Sequence, residues 1–315
     1  MNTSEYNTFI RDKLVMINDK DGFTEQNQKD LHTLYEAFQE FNIGSFFKYY
    51  SINEYTYKNL NENCLHIAEV AGLNDMFEVK YHITDSFTGS SNPLMNALIR
   101  GVLNDCSKAV LESLPYIRNH TSVFSMTTRW DNQAMWGLYG NSFKGVCFEY
   151  SANNFFDYFG YKLAPVVYSD TMPERKMTEI IMGRKGISDS AFLSALQIPG
   201  QLPKLAQDIS EQIRLIQEAC TTKNTDWSYE EEWRVVDFSL SGSIDEKHGL
   251  NGENGHNIVG KDKLKPISIT MGSKIDEEER EKLIQTAKST NTTLYQLVAS
   301  ENDYSLRRDL IYQAN

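Results

Sequence analysis

The stretch Tyr229–Leu240, YEEEWRVVDFSL, constrains the fold of this chain more than any other. The two-residue period of a strand places Glu230, Glu232 and Arg234 on one face, followed there by Val236, Phe238 and Leu240. Tyr229, Trp233 and Val235 take the other face. A strand with apolar residues on both faces is covered on both, which places it inside a sheet. Charged groups on a covered strand need partners, because an unpaired buried charge is costly.

Around that strand the elements mix. Residues 1–44 carry Leu31, Leu34, Tyr35 and Phe38 at the spacing of one helix face, with Gly44 as a stop, and are expected to form a helical N-terminal extension. The run FFKYY reads as a strand, Glu54–Asn61 as a helix, CLHIAEV as a strand and GLNDMFE as a loop. A helix over 93–118, ending near Pro115, precedes the strand SVFSMTT. Asp131 is placed to cap a short helix running to Tyr139, and Gly140 and Gly145 bracket a turn into the strand GVCFEY. A mostly helical insertion is expected at about 169–223, with Pro203 opening a helix whose face carries Leu205, Ile209, Ile213 and Ile216. The Gly- and Asn-rich run 241–263 reads as a polar loop, and the chain closes as strand PISITMG, helix Asp276–Lys288 and strand TTLYQLVAS. Without steady βαβ alternation, this order predicts an α+β domain over 45–315 with a central, largely antiparallel sheet.

Composition narrows the function classes. At 315 residues and 40% hydrophobic content the chain can bury a normal core. Its net charge of −12 works against broad binding to phosphate backbones. The N-terminus lacks a basic start followed by an apolar run, and no stretch approaches the roughly 18 apolar residues of a bilayer span, so a soluble cytoplasmic protein with no membrane partner is expected. Cys64, Cys106, Cys147 and Cys220 form no C-x-x-C pair and the six histidines show no metal-ligand spacing, so no metal site is expected. P-loop, dinucleotide-fold and nucleophile-elbow signatures do not occur.

Two carboxylates at i and i+2 repel, which raises one pKa unless Arg234 or another cation compensates. Such a pair suits hydrogen bonding to sugar hydroxyls and stabilising an oxocarbenium-like centre. The plain alternative is an acidic strand end held by ion pairs. In DNQAMWGLYG, Trp136 and Tyr139 share a helix face that offers a stacking surface to a planar ring, or else pins the helix to the core. Ser125 and Thr127 share a strand face and offer two hydroxyls, and Lys144 reads as a phosphate contact or a turn lysine. In the GLNDMFE loop, Asn74 and Asp75 fit an Asx turn and Glu78 stands out as a polar residue among apolar neighbours. Among the histidines, His66 alone falls near the other candidates, while His248 and His256 read as solvated.

Together FFKYY with LNDMFE, MWGLYGNSFKGVCFEY, WSYEEEWRVV and the closing PISITMGSKI resemble a widespread bacterial family of unknown function. That family is marked by K-Y-R, F-N-D-P-F, W-x-x-Y-A-x-x-x-x-G-V and W-x-Y-E-x-E-x-R. This chain departs from it at Tyr50, Met76 and Gly140, where the family has Arg, Pro and Ala. The order of the blocks is in turn similar to the three-part active site of ADP-ribosyltransferases. That resemblance implies that Lys48, Tyr49 and His66 bind the ribose and phosphates of NAD, with Ser125, Thr127 and Trp136 or Tyr139 around the nicotinamide. It also implies that Glu232 stabilises the oxocarbenium ion, that Glu230 orients the acceptor and that Arg234 supports them. It points to an NAD-dependent toxin or phage-defence effector that modifies nucleic acid or protein, held in check by an antitoxin or regulatory partner. The competing expectations are a non-catalytic nucleotide- or protein-binding module and a hydrolase using the same carboxylates.

Overall fold

The structure, a computed structural model, describes residues 1–17, 25–70, 73, 75–84, 101, 108, 110–182, 210–238, 255–258 and 261–315. The expectations for Asn74, Cys106, Pro203, Leu205, Ile209 and His248, and for the His256 side chain, lie outside the described residues. The protein is an α+β fold whose helices enclose a large, mostly antiparallel sheet.

In chain order the strands are β1 (Ser45–Tyr50), β2 (Leu65–Glu69), β3 (His82–Thr84), β4 (Thr121–Thr127), β5 (Val146–Ser151), β6 (Leu163–Pro165) and β7 (Val167–Tyr168). They continue as β8 (Glu174–Lys176), β9 (Thr222–Lys223), β10 (Glu232–Phe238), β11 (Gly255–Ile258), β12 (Ser268–Met271), β13 (Thr293–Ala299) and β14 (Leu306–Tyr312). Ten form one sheet in the order β11-β2-β4-β1-β5-β12-β13-β14, with β10 beside β4 and β6 beside β10. Among the described residues of this sheet only β12 and β13 run parallel. β3–β8 and β7–β9 are separate parallel pairs.

The sheet is nearly two. β10 lies along the whole of β4, from Glu232 opposite Thr127 to Phe238 opposite Thr121. The other side of β4 is shared by β2, which pairs at Ser122 and Val123, and β1, which pairs at a single register, Phe47 opposite Thr127. Among the described residues, Phe124–Met126 have a strand neighbour on one side only. The half-sheet β11-β2-β4-β10-β6 therefore joins the half-sheet β1-β5-β12-β13-β14 at one rung.

One face is sealed across both halves. Helices Thr3–Ile17, Glu25–Glu40 and Ala152–Phe159 pack Tyr6, Ile10, Leu34, Phe38 and Phe156 against Phe46, Phe124, Trp233 and Val235. The rings of Tyr6, Phe38, Phe41 and Phe46 surround Trp233 at 5.2–5.8 Å, so the two N-terminal helices complete the core of the sheet. The second helix ends at Glu40, and Asn42 in the left-handed region (φ 52°) makes the exit ahead of Gly44. Asparagine adopts that conformation more readily than most residues.

The other face carries two separate covers. A helix at 110–119, with Met177–Ile181 and Ser210–Cys220, closes over Val123 and Val236. The first of these runs through Pro115, past the expected stop, with Leu114 and Ile117 buried on it. The short helix Gln133–Leu138 closes over Phe47, Tyr49, Cys147 and Leu297. Asn132, not Asp131, caps it, its side chain accepting from the Met135 N–H at 3.2 Å. Between the two covers the face is open, where the half-sheets part.

Three further expectations change. The strand expected from Tyr229 begins at Glu232, because Thr225–Glu230 is a 3-10 turn and Glu231 is left-handed (φ 45°). β11 lies inside the run read as a polar loop, paired through its backbone to β2, which needs no apolar alternation. β14 has no counterpart in the sequence reading.

Candidate functional site

The opening between the covers is a cavity of about 190 Å³. Eight of the site residues expected from the sequence line it: Lys48, Tyr49, Ser125, Thr127, Tyr139, Glu230, Glu232 and Arg234. Strand register explains part of this. Thr127 stands opposite both Phe47 and Glu232, and Ser125 opposite Arg234, so their side chains share the open face.

Glu230 reaches the cavity by another route. The 3-10 turn, capped by the Asn224 side chain, and the left-handed Glu231 swing it beside Glu232. The Asn132 amide donates to the Tyr229 carbonyl at 2.6 Å and clips this turn to the helix that bears Tyr139. The Tyr139 hydroxyl then donates to Glu230 Oε1 at 2.8 Å.

Charge is balanced inside the protein. Arg234 donates through Nε and Nη2 to the two oxygens of Glu232 at 2.8 and 3.0 Å, to the Cys220 carbonyl at 2.6 Å, and to Glu78. Lys223 pairs with Glu230 at 2.6 Å and Glu232 at 3.2 Å, its ammonium 4.7 Å from the ring centre of Trp227. All five charged groups are buried. Burial opposes the charge on Glu232, but Arg234 and then Lys223 outweigh it and draw its pKa down to about 2. Burial raises the pKa of Glu230 and Lys223 opposes this without cancelling it, so one face holds a firmly ionised carboxylate beside one that keeps its proton longer.

Lys48 completes the set. The residue is half-buried, and its ammonium lies over Phe124 at 5.1 Å with no ion pair among the described residues. Burial lowers its pKa to about 8 despite the attraction of Glu232. On the sealed side of β1 it would meet only core, but the gap between β1 and β2 along β4 lets it line the cavity.

Three candidates lie elsewhere. Trp136 is fully buried, donating its indole N–H to the Trp130 carbonyl at 2.8 Å and meeting Tyr49 edge to face, so it pins the helix and presents no face to the cavity. His66 is exposed on β2, 6.5 Å from the Tyr55 ring and outside the lining. Lys144 is a turn lysine paired with Asp276 at 3.6 Å. Asp75 makes the expected Asx turn, accepting from the Phe77 N–H at 2.9 Å, and also lines the cavity.

Lys223 was not read from the sequence, Trp227 and Phe47 entered only as parts of WSYEEEWR and FFKYY, and Glu78 only as a polar loop residue. The signal for Lys223 was arithmetic: Glu230 and Glu232 on a covered strand needed a cation beyond Arg234. Among the described residues, no group of three or more His, Cys, Asp or Glu side chains is arranged to hold a metal. No described helix is long and apolar enough to cross a membrane.

Residues 135–235 match a family described as Protein of unknown function (DUF2971). The resemblance to a family of unknown function therefore holds over the stretch from the Tyr139 helix to β10, which supplies Tyr139, Lys223, Glu230, Glu232 and Arg234. No curated protein and no solved structure matches the chain.

Proposed function

We propose that the cavity is the active site of an NAD-dependent ADP-ribosyltransferase-like enzyme. The observation that supports this reading most is the convergence of Lys48, Ser125, Thr127, Tyr139, Glu230 and Glu232 on one small cavity from four separate parts of the chain. The size fits part of the substrate. About 190 Å³ falls below the roughly 300 Å³ at which pockets for whole ligands begin. It suits the nicotinamide-ribose end, with the remainder passing Phe47 and Glu232 into the adjoining hollow of about 670 Å³ that these two residues also line.

In this reading the ionised Glu232 faces the ribose as the bond between its C1′ and the nicotinamide nitrogen breaks. The electron pair leaves with nicotinamide, and the carboxylate stabilises the oxocarbenium ion that remains. Lys48, which has no ion pair among the described residues, holds the phosphate next to the nicotinamide ribose. The acceptor, a nucleic acid or a protein, bonds to C1′ and its proton passes to Glu230, whose raised pKa suits a base. An electrostatic stabiliser of this kind is worth about 2.7–4 kcal/mol, so Glu232→Gln should slow nicotinamide release by about 10²–10³-fold. Purified protein with NAD and candidate acceptors provides the trial, with melting temperature followed in parallel because the substitution also leaves Arg234 and Lys223 short of a partner. No release from the wild type with any acceptor, or undiminished release from a folded Glu232→Gln variant, rejects the reading.

One observation favours the alternative of a non-catalytic binding module. Both Glu232 oxygens are already engaged by Arg234 and Lys223, as a structural ion pair would be. Under that reading NAD or another nucleotide binds without turnover, and Glu230→Gln and Glu232→Gln weaken binding alone.

A further inference from the structure

β14 closes one end of the sheet, and its outer edge has no partner among the described residues. Which of its backbone groups are free follows from its inner edge. Ser305 directs its carbonyl to the Ser300 N–H, so the alternating pattern turns the N–H and C=O of Leu306, Arg308 and Leu310 outward. Side chains sort the same way. Leu306, Arg308 and Leu310 stand on the face of Leu297 and Tyr295, and Arg307 and Asp309 on the other. Leu310 is 53% exposed, a large apolar side chain on an open edge.

This edge is complementary to itself. In an antiparallel pairing of two copies with Arg308 on the twofold axis, the outward groups of Leu306, Arg308 and Leu310 meet those of Leu310, Arg308 and Leu306. Arg307 then stands opposite the partner's Asp309 twice, in the closely spaced, non-hydrogen-bonded positions where side chains interact most. The two Arg308 side chains do not collide, because each lies back over its own sheet, 4.4 Å from Trp130 and paired with Glu149 at 2.9 Å. No register centred on Asp309 does this, since it places the two Asp309 carboxylates face to face.

We infer that β14 is a dimerisation edge, and that its partner is a second copy of this chain, joining the two sheets into one. The contact is a small interface, so the dimer forms with rising concentration. It also reaches the cavity, because Arg308 lies 5.8 Å from the ring of Phe47.

The test is a charge-swap pair read by light scattering after size exclusion. The wild-type chain is expected to be a dimer at high concentration. Arg307→Glu and Asp309→Arg, both at exposed side chains, should each be folded and monomeric, because each sets like charges opposite one another. Mixing the two variants should restore a dimer, one copy of each, in which both cross-edge pairs are again of opposite sign. A wild type that stays monomeric at every concentration, a dimer that survives Arg307→Glu, or two monomeric variants that ignore each other when mixed, each overturns the inference.

Discussion

Arg234 shows how a single side chain organises this site. Fully buried, it spans Glu232 and Glu78 and reaches the Cys220 carbonyl, so a strand, a loop and the end of a helix are fixed by one guanidinium. Its planar fork can do this where a lysine's point charge cannot. Glu232, held ionised by it, is spectator to pH in the working range, which leaves Glu230 and Lys48 as the groups that titrate. Glu230 must lose its proton to act as a base, and burial raises its pKa, so the rate should rise as pH climbs through that raised value. Lys48 must keep its proton to hold an anion, so the rate should fall as pH passes about 8. A bell-shaped profile of nicotinamide release is expected. Glu230→Gln should remove its acid limb, and Lys48→Arg should carry its alkaline limb upward. A profile that stays level both below the raised Glu230 value and above about 8 would contradict both roles. Glu230, Glu232 and Arg234 were legible because charges on a covered strand advertise themselves. Lys223 and the pairing of Glu78 were not: Lys223 stands only 7 and 9 positions before its partners but on a separate short strand, β9, and Glu78 stands 156 positions before Arg234.

At the level of elements, the turn from Gly140 to Gly145 sets the height of the Tyr139 helix above the sheet. Asn141, Ser142 and Phe143 are all left-handed there, and Gly145 runs so close to β1 that a Cβ on it would lie 2.2 Å from the Tyr50 carbonyl oxygen. Gly272 makes a matching approach, where a Cβ would stand 2.1 Å from the Phe143 carbonyl oxygen. Gly145→Ala must therefore move backbone. It should lower stability by more than about 1 kcal/mol, the scale on which a residue is forced where its backbone cannot fit, and loosen the Tyr139–Glu230 contact. Urea unfolding measures the first effect, and a melting curve indistinguishable from wild type would contradict it. Strands with apolar alternation, such as β4, β5 and β13, were visible in the sequence. β14 was not, because LRRDLIY alternates with no single buried face, and β10 was drawn too long because Tyr229, a strand former, sits in the turn before it and keeps the two-residue alternation going.

Across the whole molecule, the α+β class and the mainly antiparallel sheet follow from the order of elements. The position of the cavity does not follow. It depends on where two half-sheets part, a property of register between strands 80 residues apart, Phe47 and Thr127. It also depends on helices that cover each half separately. Residues 1–44, read as an extension, place Tyr6, Leu34 and Phe38 in the core that holds both halves together from behind.

The single rung between β1 and β4 has a practical outcome. On the open side, among the described residues, that rung is joined by a few hydrogen bonds, from Tyr49 to the Arg129 carbonyl, from Asn132 to the Tyr229 carbonyl and from Tyr139 to Glu230, so a molecule lodged there braces a thinly fastened joint. Its binding should delay thermal unfolding with the logarithm of its concentration above Kd, by about 2.7 kcal/mol at a hundredfold excess over Kd. A melting-temperature screen of nucleotides and their fragments can thus name the occupant before any reaction is known. NAD and nicotinamide mononucleotide should raise the transition, and adenosine alone should not. A screen in which neither nicotinamide compound raises it would turn attention to another tenant of the same gap.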